Sequence, residues 1–234
     1  MTRLTWDNIS DRIYETGIKN GVIYVVDNLG NYTKGVAWNG LTSVKQKSSG
    51  GEPNAIYSDN VKYLNLLSKE EFSGTIEAYS KPKEFLKCLG EQSAVPGLNI
   101  RQQRRSSFGF CYKTLLGNDT NNLNYGYKLH LVYGCYASPS EAGYNSVSDN
   151  LDPIIFSWEI ISVPVNGLDF NPTSIIEIDS TRVAPLALLM LEDILYGAIA
   201  DATLPSPSDV IAIIENGGYG WVVGSSLVGI GRIN

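Results

Sequence analysis

AIYSDNVKYLNLLSKEEFSGTIEAYSKPKEFLKCLG, residues Ala55–Gly90, carries the densest run of structural signals in this chain. It reads in order as an exposed turn, a charged link, one alternating strand and a short capped helix. Tyr57-Ser58-Asp59-Asn60 sets an aromatic before an Asp/Asn pair, whose side chains bond to the nearby backbone and favour a turn. Phe72, Gly74, Ile76 and Ala78 alternate with Ser73, Thr75, Glu77 and Tyr79, the period of two expected of a half-buried strand. Pro82 suits a first helical turn, Phe85 and Leu89 fall on one face over Lys83–Leu89, and Gly90 can supply a left-handed stop.

Alternation continues on both sides of this block. Val36, Trp38 and Val44 open a strand region that runs into Lys45–Glu52, whose Ser48-Ser49-Gly50-Gly51 tip reads as a flexible loop. Phe108, Phe110 and Tyr112 oppose Ser107, Gly109 and Lys113. Tyr127, Leu129, Leu131 and Tyr133 oppose Lys128, His130 and Val132. Ile154, Phe156, Trp158 and Ile160 oppose Ser157 and Glu159. Repeated half-apolar strands imply a mainly β, antiparallel two-layer structure. Gly117–Asn124 and Ser138–Asp152 are polar connections. A second helix, Leu186–Tyr196, is bracketed by Pro185 and Gly197. Val210–Ile214 is expected as a strand, with Asn216-Gly217-Gly218 as a turn to Trp221–Val223. One domain over 21–204 is expected, with an N-terminal arm over 1–20 and a C-terminal extension over 205–234.

Composition narrows the function classes. The 234 residues include 24 acidic and 18 basic side chains, a formal charge of −6, which argues against a groove that grips nucleic acid. The charge fits a surface that DNA would pass without sticking, and equally an ordinary, mildly acidic soluble protein. Cys88, Cys111 and Cys135 are too few for a disulfide framework, and Cys111 and Cys135 read as small buried apolar groups. MTRLTWDNIS lacks an apolar leader, and the richest apolar window, Ala184–Ala200, is broken by Glu192 and Asp193. Synthesis in a reducing cytoplasm and no membrane span are therefore expected.

Little catalytic chemistry is visible. The single histidine, His130, lies opposite an apolar face and is expected at a surface or a subunit contact. No nucleophile elbow, zinc-binding helix motif or phosphate loop occurs, and Gly217, Gly218, Gly220 and Gly224 lack the residues that would make a phosphate cradle. Glu70-Glu71, Glu192-Asp193 and Glu177/Asp179 read as solvated or interface charge, and the Asn118–Asn122 run as a turn rather than a calcium loop. No enzyme, cofactor or metal is expected. Arg101, Arg104 and Arg105 form the sharpest basic cluster, which fits either a solvated strand edge or bidentate pairing with carboxylates of a neighbouring copy, and is too small for a groove that tracks a DNA backbone.

Five blocks carry a family resemblance: TWDNISDRIYETGIKNGVIY (Thr5–Tyr24), KGVAWNGLTSV (Lys34–Val44), AIYSDNVKYLNLLSKEEFSGTIEAY (Ala55–Tyr79), GNDTNNLNYGYKLHLVYGCYASPSE (Gly117–Glu141) and FSWEI (Phe156–Ile160). Together they resemble the major tail protein, the tail-tube subunit, of long-tailed, siphovirus-type bacteriophages. The resemblance implies an antiparallel β-sandwich or barrel of the tail-tube type, with one or two flanking short helices and a long inter-ring loop. It implies hexameric rings stacked into a virion tube that conducts double-stranded DNA, with tape-measure, terminator and tip proteins as partners. In that frame the inter-ring loop is Lys45, Gln46, Lys47, Ser48, Ser49, Gly50, Gly51 and Glu52. Arg101, Arg104 and Arg105 become inter-subunit contacts. Glu77, Glu159 and Glu177, each the polar member of an alternating strand, become candidates for an acidic lumen. A carbohydrate-binding or capsid-decoration sandwich is the alternative, and a hydrolase with an acidic site is a further one.

Overall fold

A computed structural model describes residues 3–139, 143, 144, 146, 153–167, 170–198 and 200–217. In chain order the elements are β1 (Ile13–Val25), β2 (Val36–Ala37), β3 (Leu41–Ser49), β4 (Pro53–Ser58), β5 (Val61–Leu67) and β6 (Glu71–Ala78). Then follow α1 (Phe85–Cys88), β7 (Gln92–Val95), β8 (Leu98–Ile100), β9 (Phe108–Asn118), β10 (Asn122–Ala137), β11 (Phe156–Ser162), β12 (Ile175–Asp179), α2 (Pro185–Tyr196) and α3 (Pro207–Glu215). The fold is mainly β; among the described residues every strand pairing is antiparallel and there are three short helices.

The principal sheet has eight strands in the order β2-β1-β9-β10-β11-β6-β3, with β12 beside the first half of β10. It doubles back on itself. Gln46 of β3 reaches Tyr112 of β9 at the open end of the space between them, its amide donating to the Tyr112 hydroxyl at 2.6 Å. The Trp38 backbone N–H closes onto the Gly21 carbonyl at 2.8 Å. Two layers therefore face one another, β1–β9–β10 and β3–β6–β11, as a sandwich.

Between the layers lies an aromatic core. Trp38 packs against Phe85, Phe110 and Trp158 with ring centroids 4.6, 5.7 and 5.6 Å apart, the tilted and edge-on geometry aromatic rings prefer. Phe85 comes from α1, which closes one end of the interior, and the Trp38 indole N–H is satisfied by the Ser80 carbonyl. The outer face of β1, β9, β10 and β12 is covered by α2 and α3. There Tyr24, Leu129, Leu131, Tyr133 and Ile178 meet Leu188, Leu191, Leu195, Val210 and Ile213. The central strands are thus buried on both faces, unlike the half-wet strands their alternation suggested.

One backbone position deserves its glycine. Gly134 has φ +61 and interrupts the ladder of β10, where a Cβ would stand 2.1 Å from the Val163 carbonyl oxygen. That bulge lets β12 pair with the first half of β10 and β11 with the last residues, Cys135–Ala137.

The Asp59-Asn60 turn, the strand after Phe72, the Phe85–Cys88 helix before a left-handed Gly90, and α2 ending at a left-handed Gly197 all match the sequence reading. Three differences have physical causes. Val61–Leu67 is a strand, not merely a charged link, because Asp59 and Asn60, at φ +49 and +61, form a tight two-residue turn that pairs it with β4. Lys45–Ser49 continues β3 and pairs with Glu71–Thr75, so the loop is confined to Gly50–Glu52. Val210–Ile214 is helical. Ser206 caps α3, its hydroxyl accepting from the Asp209 N–H while the Asp209 carboxylate accepts from the Ser206 N–H, with Pro207 in the first turn. Trp221–Val223 and the turn leading to it lie outside the described residues.

Candidate functional site

The β4–β5 hairpin stands apart from the main sheet. It leaves the sheet where Gly50 and Gly51, at φ +85 and +71, turn the chain out of β3, and it returns through Ser68–Glu70 into β6. Among the described residues its two strands pair only with each other. Tyr57, Tyr63 and Leu67 are 66%, 73% and 73% exposed, and Val61, Leu64 and Leu66 are exposed beside them. Apolar side chains this concentrated on an arm in water mark an interaction surface.

The predicted acidic residues do not share one surface. Glu77 and Glu159 lie on the outer face of β6 and β11, with Ser157 opposite Glu77 and Thr75 opposite Glu159. Glu77 accepts from Lys45 Nζ at 2.8 Å and Ser43 Oγ at 2.6 Å, and those two bonds hold its carboxyl below the usual range. Glu177 sits on the other side of the folded sheet, opposite His130 in the β10–β12 register. Among the predicted contact arginines, Arg101 pairs with Glu91 of its own chain at 3.2 Å, beside Lys81, which also contacts Glu91 at 3.2 Å. Arg105 donates to the Ala137 carbonyl, and Arg104 is exposed.

At the end of the interior away from α1, the core turns polar. Along β9 the inward row runs Phe108, Phe110, Tyr112, Thr114, so the alternation that packs two phenylalanines delivers a phenol and a hydroxyl to a cavity of about 510 Å³. His130 is central to it and is 4% exposed, a correction to its expected surface position. Both faces of β10 are covered, so the side opposite the Leu129–Leu131 face is still interior.

The imidazole stacks on the Tyr112 ring at 4.6 Å and 6°. Its Nε2 lies 2.9 Å from Thr114 Oγ1 and 3.4 Å from Glu15 Oε1; its Nδ1 lies 3.4 Å from Gln46 Nε2 and 3.5 Å from Glu177 Oε1. Burial pushes the His130 pKa down, and the carboxylates of Glu177 and Glu15 oppose that shift without overcoming it. Burial likewise pushes Glu15 up, but the bonds from Lys128, at 2.6 Å, and from Thr114 outweigh it and leave the carboxyl low. Burial raises the Tyr112 phenol to about 12. The hydroxyl beside the histidine, Thr114 Oγ1, donates to Glu15 rather than to the ring, and among the described residues no group of three His, Cys, Asp or Glu side chains is placed to hold a metal.

A second polar group went unseen in the sequence. Lys113, 8% exposed, pairs with Glu192 of α2 at 2.8 Å and lies over the Tyr127 ring at 4.4 Å, while the Tyr127 hydroxyl donates to the same carboxylate. This pins α2 to β9 and β10. Cys88, Cys111 and Cys135 are buried, and burial raises the thiols of Cys88 and Cys111 to about 12, so they are unreactive core groups.

Comparison with known proteins adds little to this geometry. No family model matches the chain, and no curated protein does. A chain of the solved PVC sheath–tube complex, an extracellular contractile injection system in its extended state, is similar over 68% of this chain and 88% of its own, at 10% identity and a TM-score of 0.29. A likeness that loose carries no argument about fold or function. Among the described residues no helix is long and apolar enough to cross a membrane.

Proposed function

We propose that this chain is a structural subunit that assembles with copies of itself into the tail tube of a long-tailed phage. The observation that carries the proposal is the β4–β5 arm, whose two strands pair only with each other among the described residues and whose exposed tyrosines, leucines and valine belong to neither core cluster. Surfaces of this kind are retained when another molecule covers them. The outer edge of β3, the last strand of the sheet, offers a second surface for a neighbour, since terminal strands invite pairing. The blocks from Thr5 to Ile160 that resemble tail-tube subunits add the form of the assembly: hexameric rings, stacked, around a bore.

In this reading DNA slides through without sequence-specific contact, helped by a net charge of −6. Tape-measure, terminator and tip proteins meet the tube, and the chain performs no catalysis. Glu77 and Glu159, together on one outer sheet face, are the better pair for a lumen wall; Glu177, beside His130, is a poorer one.

Negative-stain microscopy of the purified chain tests the proposal. Rings and tubes are expected from the intact chain. A variant with Glu52–Glu70 replaced by a short Gly-Ser link should keep its circular dichroism spectrum and form no long tubes. An intact chain that stays monomeric at high concentration, or a shortened one that still polymerises, overturns the reading.

A further inference from the structure

Counting protons around His130 leaves its ring in one state. The Thr114 hydroxyl has a single proton and gives it to Glu15. Its oxygen can then only accept from Nε2, 2.9 Å away, so the neutral ring carries its hydrogen on Nε2. Nδ1 is left as a bare lone pair. Two groups face it: the Gln46 amide of β3 at 3.4 Å, which can donate, and the Glu177 carboxylate of β12 at 3.5 Å, which cannot. The Gln46 amide has two hydrogens, one already given to the Tyr112 hydroxyl at 2.6 Å, so the second is free for Nδ1.

We propose that His130 is a proton-operated latch: neutral, it holds Gln46 of β3 through Nδ1, and protonated, it releases Gln46 and holds Glu177 of β12. A proton on Nδ1 turns the acceptor into a donor. The Gln46 N–H then faces another N–H, and the carboxylate that had faced a lone pair becomes an ion-pair partner. The balance is simple, one solvent proton taken up and none passed on.

The charged and titratable groups around the ring are few. Glu15 approaches from β1, Tyr112 from β9, Lys128 from β10 and Glu177 from β12, while β3 contributes the uncharged Gln46. Lys128 is engaged with Glu15 at 2.6 Å on the Nε2 side, and Glu177 is the carboxylate that faces Nδ1, where the new proton arrives. The two strands differ in consequence. β3 runs directly into Gly50 and the β4–β5 arm, whereas β12, among the described residues, pairs only with β10. Proton uptake thus removes one tie near the root of the arm. Any effect on polymerisation rests on the tube reading; the exchange of partners does not.

The chain has one histidine, so its ring gives a single set of nitrogen-15 signals, readable in solution or by magic-angle spinning in assembled material. At neutral pH the Nε2–H tautomer is expected. Glu177→Gln removes the partner of the protonated form and should lower the titration midpoint by about one pH unit. Gln46→Met removes the partner of the neutral form and should raise it by about half a pH unit. A merely structural histidine would not give opposite signs at these two positions. A neutral ring with its proton on Nδ1, or a midpoint that Glu177→Gln leaves unmoved or raises, sinks the latch. Tubes failing to form would leave this titration readable and would count only against the assembly proposal.

Discussion

At the scale of single residues, strand parity was legible and burial was not. The sequence placed Lys113 opposite Phe110 and Tyr112, and His130 opposite Leu129 and Leu131, and the register agrees at both positions. It read those opposite faces as wet because alternation reports that two faces differ, not what covers each. Here α2 covers Lys113 and the folded-over β3 covers His130. A buried lysine must then keep its partner. Removing Glu192 alone leaves the Lys113 ammonium beneath a helix, so Glu192→Leu should cost about 3–5 kcal/mol in denaturant unfolding. The double replacement Lys113→Met with Glu192→Leu removes both charges together and should be far milder. Equal losses in single and double variants would mean that shape, not charge, is what the pair supplies. The candidate site follows the same rule: Tyr112, Thr114 and Gln46 were visible as strand residues, but their convergence across the interior needed the sheet to double back.

Elements with punctuation at both ends were read well. Asp59-Asn60 makes the hairpin turn, and Pro185 and Gly197 bound α2 as their chemistry dictates. The element read wrongly, α3, was judged on Val210, Ile211, Ile213 and Ile214, whose β-branched side chains favour a strand. The overriding signal stood just upstream in Ser206-Pro207-Ser208-Asp209, a reciprocal cap that satisfies the free N–H groups of the first turn. Burial of Val210 and Ile213 against α2 does the rest. Because branched residues weaken the helix's own preference, the cap should matter here. Ser206→Ala is expected to lower stability by about 1 kcal/mol, while Ser206→Asp should cost much less. Melting temperatures of the two variants check this, and identical melts for Ala and wild type would mean that packing alone sets the helix. The Lys45–Glu52 segment shows the converse case. Its polar composition suggested a loop, yet Lys45, Gln46, Lys47, Ser48 and Ser49 all lie in an edge strand and all are exposed, so polar side chains cost nothing there.

For the whole molecule, charge and apolar surface pull in opposite directions, and that conflict is measurable. Copies carrying −6 repel one another, while the arm's Tyr57, Tyr63, Leu66 and Leu67 gain by leaving water. Raising NaCl from about 0.01 M to about 0.15 M shortens the reach of that repulsion from roughly 30 Å to roughly 8 Å and leaves the apolar gain intact. Sulfate salts strengthen the apolar gain directly. Under the proposed tube assembly, association driven by the arm should therefore increase over this salt range and increase again with ammonium sulfate, as read by the pelleted fraction in sedimentation and by tube length in micrographs. Tyr63→Ser with Leu67→Ser should lower the pelleted fraction under every condition without moving the unfolding midpoint, because neither side chain is packed in the chain's own core. Ion pairs between copies would behave the other way. If Arg104 and its neighbours were the main adhesive, tubes would dissolve as NaCl rose and the arm variants would pellet like wild type.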